Sequence, residues 1–394
     1  MKDQDSMGIS RRGLLQGSAG LALLTLMETP GWAQFLGASK GEVVIPFLDP
    51  WPKPPKEAIQ QFGDLNKLVW ENVGSWITPN NQFFNVSHYN RPVLRAEDWQ
   101  LELRGLVGQP RTLTLDDLKA RPRQEVVFTM ECGGNNGFPW FVGGIGNARW
   151  AGTPLAPLLR EAGIQPKGIE VVFFGSDEGE EEVRSIKMPQ HFSRSLSIQD
   201  ALDPQVLLCY EMNGQPLAPI NGYPVRLILP GWYGVANVKW LTRIEIIDTH
   251  WAGRFMAKDY VTIREELRED GTKVWTQKTV CRMRLKSMTA KVTVKDGQHR
   301  IYGMAWGGPV QSVEVRINKG PWVAATITQG QEQKFAWKFW RYDWKGAKPG
   351  DYTITARAID TGGNIQPASD DPFIANKRTY WENNAQITRR VRIS

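Results

Sequence analysis

Residues 125–140, EVVFTMECGGNNGFPW, run a β-type segment (Val126, Val127, Phe128, Thr129, Met130) into a loop of Gly133, Gly134, Asn135, Asn136 and Gly137. A β-branched and aromatic run of this kind reads as a strand. Residues without bulk directly after it let the backbone and a large group come close together. The strand thus delivers one thiol, Cys132, to a place where something sizeable can sit. Only Cys209 and Cys281 accompany it, so no disulfide framework is encoded, although those two could pair in an oxidising compartment. Cys132 is a candidate metal ligand or nucleophile, and on this loop alone equally a small buried hydrophobe.

At 394 residues the chain exceeds one ordinary core and points to two or three domains. With 41% hydrophobic and 23% charged residues it is neither disordered nor a membrane protein in composition. The 17 tryptophans predict an aromatic-rich interior or a wall around a site.

The N-terminus predicts export. Ser10-Arg11-Arg12-Gly13-Leu14-Leu15 precedes a modest apolar run over 17–27, and Gly31-Trp32-Ala33 has small residues where a signal peptidase cuts. Paired arginines before a short apolar stretch read as a twin-arginine signal over 1–33, which places the protein in the periplasm. The run is about half a bilayer span, so no permanent membrane anchor is expected. That route carries folded proteins, often around an inserted cofactor. Lys2, Arg11 and Arg12 balance Asp3, Asp5 and Glu28, so the remainder keeps the whole net charge of +7. Such an excess favours anionic substrates, a phosphate-bearing cofactor or an acidic protein partner. No basic block with interleaved aromatics supports nucleic-acid binding.

Along the chain, 47–56 (FLDPWPKPPK) predicts an extended arm on the body. Strands are expected over 99–107, 169–174, 225–229 and 241–247. Short helices are expected over 113–119, with Thr114 as N-cap, and over 154–162. From about Lys286 short alternating runs recur at 291–294, 313–317, 323–327, 352–359 and 391–393 between Asp-Gly, Lys-Gly and Pro-Gly turns. They predict an all-β, immunoglobulin-like sandwich, joined to the first part by a charged connector over 265–273.

Six segments, in order, carry a resemblance: Phe83-Phe84-Asn85-Val86-Ser87-His88; Glu131-Cys132-Gly133-Gly134-Asn135; Asn147-Ala148-Arg149-Trp150-Ala151-Gly152; Leu208-Cys209-Tyr210-Glu211-Met212-Asn213-Gly214; Asn221-Gly222-Tyr223-Pro224-Val225-Arg226 through Pro230-Gly231 to Asn237-Val238-Lys239-Trp240; and His250-Trp251 with Asp259-Tyr260. Together they resemble the sulfite oxidase family of molybdopterin oxidoreductases. The cysteine loop is most similar to the haem-free bacterial periplasmic, sulfur-oxidising dehydrogenase type. The resemblance implies an α+β molybdopterin-binding catalytic domain over 34–268 and an immunoglobulin-like dimerisation domain over 269–394.

It also implies roles. Cys132 would be the thiolate on molybdenum, a soft ligand that the metal keeps deprotonated. His88, Asn135, Asn221, Arg226 and Lys239 would hold the pterin and its phosphate, arginine by bidentate contact and lysine as a point charge. Tyr260 would reach the reacting oxygen, Trp150 would wall the substrate pocket, and Arg378 would be sent back to the substrate anion by the second domain. One molybdenum pyranopterin without haem is expected, since no Cys-x-x-Cys-His motif occurs. Electrons would therefore leave to a separate cytochrome c, and the second domain would make a homodimer.

Departures from the family pattern bear on the substrate. Val86 stands where an arginine contacts sulfite, Asn136 and Gly137 replace basic residues after the loop asparagine, and Asn221 replaces a histidine. Losing two cations weakens dianion binding by on the order of a few kcal/mol; Arg91 or Arg149 could compensate. A larger or less charged sulfur compound fits these changes. The expected activity is oxygen-atom transfer to sulfite or a related small sulfur compound. An S- or N-oxide reductase on the same cofactor is the enzymatic alternative, and a cofactor-free exported binding protein the non-enzymatic one.

Overall fold

The computed structural model describes residues 41–62 and 65–394. The expected export signal over 1–33 lies outside them. The first part of the chain is built on two sheets. One orders the strands Arg226–Ile228, Leu207–Met212, Ile145–Pro154 and Gln124–Glu131, all antiparallel, with Gln215–Pro216 hairpinned onto the second. The other orders Arg111–Leu113, Leu101–Gly105, Leu241–Ile247, Glu170–Val183 and Ile186–Ser197. Its Leu101–Gly105 and Leu241–Ile247 strands run parallel and its other neighbours antiparallel.

The helices are short, and two lie where expected. Leu115–Lys119 starts at Thr114 with a reciprocal capping box to Asp117, and Leu155–Ala162 follows Pro154 and ends at Gly163 with φ +68°. The capped helix fixes Leu115 and Leu118 in the core beneath the sheet.

From Lys286 onward the protein is β-rich, and all five runs expected there are strands. Eight antiparallel strands follow one hydrogen-bonded path, in the order Val43–Ile45, Lys286–Lys295, Gln298–Trp306, Lys338–Trp344, Val323–Gln329, Val310–Ile317, Gly350–Asp360 and Thr388–Ile393. The proline-bearing arm contributes the first of these and then lies along the last. Phe47 bridges Val391, and Arg389 stacks over Phe47 at 3.9 Å and Trp51 at 4.4 Å. The arm is shorter than expected, because Lys56 already opens the helix Lys56–Phe62.

The charged stretch expected as a connector is a β-hairpin, Val261–Leu267 with Lys273–Thr279. Its charges pair across the ribbon, Lys273 with Glu265 at 2.8 Å and Lys278 with Glu266 at 2.9 Å. The boundary expected between 268 and 269 falls in its turn, where Arg268 N–H donates to Thr272 O.

One hydrophobic core runs through both β systems, and a second, holding Phe47, Trp340 and Trp344, fills the C-terminal β system. Trp70, Trp150, Trp240, Trp306, Trp337 and Trp340 are fully buried, and Trp70 stacks on Trp306 at 5.8 Å. The tryptophans thus build interior more than site wall. The edge of strand Gln124–Glu131 is covered by the second β system. Thr129 N–H donates to Phe335 O, and Trp337 N–H donates to Thr129 Oγ1 at 2.6 Å.

Candidate functional site

Strand Gln124–Glu131 buries its last four residues and ends where Cys132 N–H donates to Gly144 O at 2.8 Å. The glycine loop after it is pinned by Asn135. Its Oδ1 accepts from Gly143 N–H at 2.9 Å and Gly144 N–H at 3.0 Å, while its Nδ2 donates to Glu131 Oε1 at 2.9 Å. Gly143 (φ +131°) must be glycine, since a Cβ there would lie 2.3 Å from Leu68 O. Gly137 is equally constrained, with a Cβ position 2.7 Å from Tyr380 O. The absence of a basic side chain at that position has a packing cause.

The Cys132 thiol opens on a cleft enclosing about 630 Å³, partly open to solvent. Around it stand Ser87, His88, Asp177, Asn221, Arg226 and Lys239, with Tyr260 at its margin. Burial pushes the Cys132 thiol up to about 12, so without a metal on it the sulfur stays protonated.

Two cations define the cleft's character. Arg226, at the start of its strand, donates from Nη1 to Asn221 O and from Nη2 to Asn237 O, both at 3.0 Å, and its Nε has no partner. Burial lowers it to about 10, which leaves it charged at neutral pH. Lys239 Nζ donates to Ser87 Oγ at 3.0 Å and Ile220 O at 3.3 Å. Burial, and then Arg226, pull Lys239 down to about 7, opposed by Asp177. Burial likewise raises Asp177 to about 7, and its Oδ1 is without a partner.

At the other margin His88 Nε2 and Tyr260 Oη are 2.7 Å apart. Burial holds His88 down to about 4, so it is neutral, and raises Tyr260 well above its ordinary value. The tyrosine ring stacks on Trp381 at 4.1 Å and the histidine ring on Phe255 at 5.1 Å.

Of the residues singled out from sequence, Cys132, His88, Asn221, Arg226, Lys239 and Tyr260 converge here. Three do not. Asn135 does not line the cleft, because its amide is spent shaping the loop. Trp150 does not wall a pocket: it is fully buried, donates to Phe128 O and packs edge-on to Phe83 at 5.4 Å, with Arg226 5.1 Å from its ring. Arg378 is not sent to the site, since its backbone N–H pairs with Ile263 O and its guanidinium lies over Trp275. The same C-terminal segment instead delivers Tyr380 and Trp381. Arg91 is bonded to Phe62 O and Asn85 Oδ1, and neither it nor Arg149 lines the cleft. Cys209 and Cys281 are free thiols, not a disulfide.

Sequence reasoning gave no role to Ser87, Asn237, Asp177 or Phe192. Ser87 and Asn237 lie in the matched segments, beside His88 and two residues before Lys239, and were within reach; Asp177 and Phe192 lie on strands that only folding brings to the cleft.

The residues fit a phosphorylated cofactor that carries its own metal. Arg226 Nε is a buried donor without a partner, and Lys239 Nζ spends two of its three hydrogens on Ser87 and Ile220. Among the described residues no three His, Cys, Asp or Glu side chains cluster, so a metal here would rest on Cys132 and on ligands it brings with it.

Comparison with known proteins identifies the family. Residues 88–255 match the family model for the oxidoreductase molybdopterin binding domain, and residues 272–384 that for the Mo-co oxidoreductase dimerisation domain. The chain is 33% identical to mitochondrial sulfite oxidase of Drosophila melanogaster, over 90% of this chain and 67% of that one. It is 32% identical to the human mitochondrial enzyme, over 78% and 60%. It is 29% identical to sulfite oxidase of Arabidopsis thaliana, over 75% and 83%. Among solved structures, the sulfane dehydrogenase SoxCD from Paracoccus pantotrophus superposes with a TM-score of 0.70 at 26% identity, covering 88% of this chain and 94% of that one.

Proposed function

Since the chain belongs to the sulfite oxidase family of molybdopterin oxidoreductases, we propose that it is a haem-free periplasmic enzyme that oxidises a small sulfur compound and passes electrons singly to a separate cytochrome c. The observation that carries this reading is the buried Cys132 thiol on a cleft that also holds Arg226 and Lys239. Cys132 would hold the molybdenum, Arg226 and Lys239 the cofactor's anionic end, and Ser87, His88 and Asn221 its polar ring edges. When bound, the cofactor supplies oxygen-atom exchange with sulfur and stores the two electrons. The protein's part is positional: Arg226 is locked by two carbonyls, Lys239 by Ser87 and Ile220, and Tyr260 by His88, so donors are preorganised before cofactor or substrate arrives.

Export through the paired-arginine signal fits assembly around a cofactor before translocation. The second β system would adopt the immunoglobulin-type sandwich and join two copies of the chain. A reductase of S- or N-oxides is the second reading, favoured by Val86 at a position where a substrate-binding arginine is absent.

Elemental analysis of protein made with cofactor supply, followed by a steady-state panel, tests the proposal. The expected result is a molybdenum equivalent on each chain, with turnover of a sulfur donor against ferricyanide or cytochrome c. Turnover only of methionine sulfoxide with a reduced dye would select the second reading, and protein free of molybdenum would defeat both.

A further inference from the structure

A second cavity, enclosing about 390 Å³, meets the first at Cys132. The two share Val86, His88, Cys132 and Tyr260, so the thiol lies on the partition between them. Their chemistry differs sharply. Where the first presents Arg226, Lys239 and Asp177, the second presents rings in continuous contact. Trp140 stacks on Phe138 at 5.3 Å, Phe138 meets Tyr380 at 4.3 Å, Tyr380 meets Trp381 at 4.0 Å, and Trp381 stacks on Tyr260 at 4.1 Å.

Among the described residues that line this chamber, none carries a fixed charge, and His88 is held neutral by burial. Three cations bonded at its wall donate to backbone carbonyls of residues lining it. Arg91 donates to Phe62 O at 3.1 Å, Lys67 to Trp140 O at 2.5 Å and Lys377 to Trp381 O at 2.6 Å, and none of the three lines the cavity. A small dianion placed here would lose its hydration without the paired, charge-assisted donors that replace it. An apolar group gains from the same walls, and a sulfur beside aromatic edges makes favourable contacts of its own.

We propose that this chamber is the substrate site and that it selects an uncharged organic sulfur compound, a thioether or its S-oxide bearing an aryl or branched apolar group, over inorganic sulfite. The inference rests on the reading of Cys132 as the metal ligand, which places the chamber beside the reacting centre. Val86 is its specificity-determining residue, an apolar side chain on the wall common to both cavities.

The test is ligand binding to the full-length, cofactor-containing protein, read by intrinsic fluorescence, because Trp140 and Trp381 line the chamber. Methyl phenyl sulfide and methyl phenyl sulfoxide are titrated in separate arms, with sulfite as the third. Saturable quenching is expected with one or both neutral compounds and not with sulfite at equal concentration. Trp140→Ala should weaken that binding by roughly threefold to tenfold, the worth of one aromatic contact. Val86→Arg should abolish it and bring in a sulfite response; both variants are checked for unchanged circular dichroism. Sulfite bound as tightly as the neutral compounds by the unaltered protein would overturn the proposal, as would neutral binding insensitive to both substitutions. The two readings fail separately. Molybdenum-free protein that still binds the neutral ligands defeats the enzymatic assignment alone, whereas molybdenum-loaded protein that answers only to sulfite defeats the chamber assignment alone.

Discussion

Tyr260 Oη stands 2.7 Å from His88 Nε2 on the wall shared by the two cavities of the site. Both groups are neutral there: burial holds the imidazole down to about 4 and keeps the phenol protonated. The hydrogen bond orients a hydroxyl beside Cys132 without adding charge. Tyr260→Phe removes the hydroxyl and leaves a buried ring nitrogen unpaired, a stability loss of about 1–3 kcal/mol. If the hydroxyl also steadies the transferring oxygen, kcat should fall on the order of a hundredfold, with KM little changed. Thermal denaturation and steady-state kinetics on the same preparation separate the two effects, and an unaltered kcat would deny the tyrosine any part in turnover.

The thiol itself yields a second prediction. In cofactor-free protein burial pushes both Cys132 and Cys209 up to about 12, while Cys281 is less buried and its thiol, though also raised by burial, is the most accessible of the three. Reaction with iodoacetamide requires the thiolate. At pH 8 the folded protein should therefore be labelled first at Cys281, with Cys132 and Cys209 following only in urea, as peptide mass spectrometry would read. Cys132→Ser should keep the fold and lose turnover, because serine is nearly isosteric but a poor soft-metal ligand.

A third prediction concerns the residue immediately before the thiol. Glu131 and Lys286 are both fully buried and 2.5 Å apart, and Glu131 also accepts from Asn135 Nδ2 at 2.9 Å and Trp306 Nε1 at 2.8 Å. The strand that carries Cys132 is thereby tied to the second β system. Lys286→Met strands a buried carboxylate and should cost about 3–5 kcal/mol, whereas Glu131→Gln with Lys286→Met should cost clearly less than the two single changes added together. Urea unfolding of the four proteins gives the cycle, and additivity within error would show the pair to be uncoupled.

How far the sequence could be read depended on how local each feature is. The Cys132 strand, the Thr114 cap and the segment from Asn221 to Trp240 are set by neighbours in the chain, and all appear where expected. Strand Gln298–Trp306 escaped notice because its second half is buried on both faces and loses the alternation that marks a strand. The stretch 265–273, the end of the hairpin over 261–279, reads as a connector because its charges pair across the ribbon instead of alternating with apolar residues. At the site, Arg378 was expected and Trp381 found. Which residue of the segment reaches Tyr260 depends on the bridge from Arg264 to Lys377, a long-range pairing that local pattern does not encode. Asn135 and Trp150 mark the converse limit: motif position located them beside the site, but only hydrogen bonds show that one builds the loop and the other the core.

Lys239 makes the cleft sensitive to pH. Its amine falls from 10.5 to about 7 in the folded protein, chiefly by burial and next by Arg226. In the unfolded chain it keeps its ordinary value, so between about pH 7 and 10.5 the unfolded state holds a proton that the folded state lacks. Stability from this group therefore rises with pH across that window, by at most about 1.4 kcal/mol per pH unit and less where cleft water screens the ammonium. Lys239→Met removes the dependence, so the gap between wild type and variant should shift in favour of wild type as pH goes from 7 to 9. With the cofactor in place its phosphate would hold the amine charged, and the same pH series should flatten. Urea unfolding at pH 7, 8 and 9, with and without cofactor, measures this; parallel curves for wild type and Lys239→Met in the cofactor-free protein would show that the amine is not depressed in the cleft.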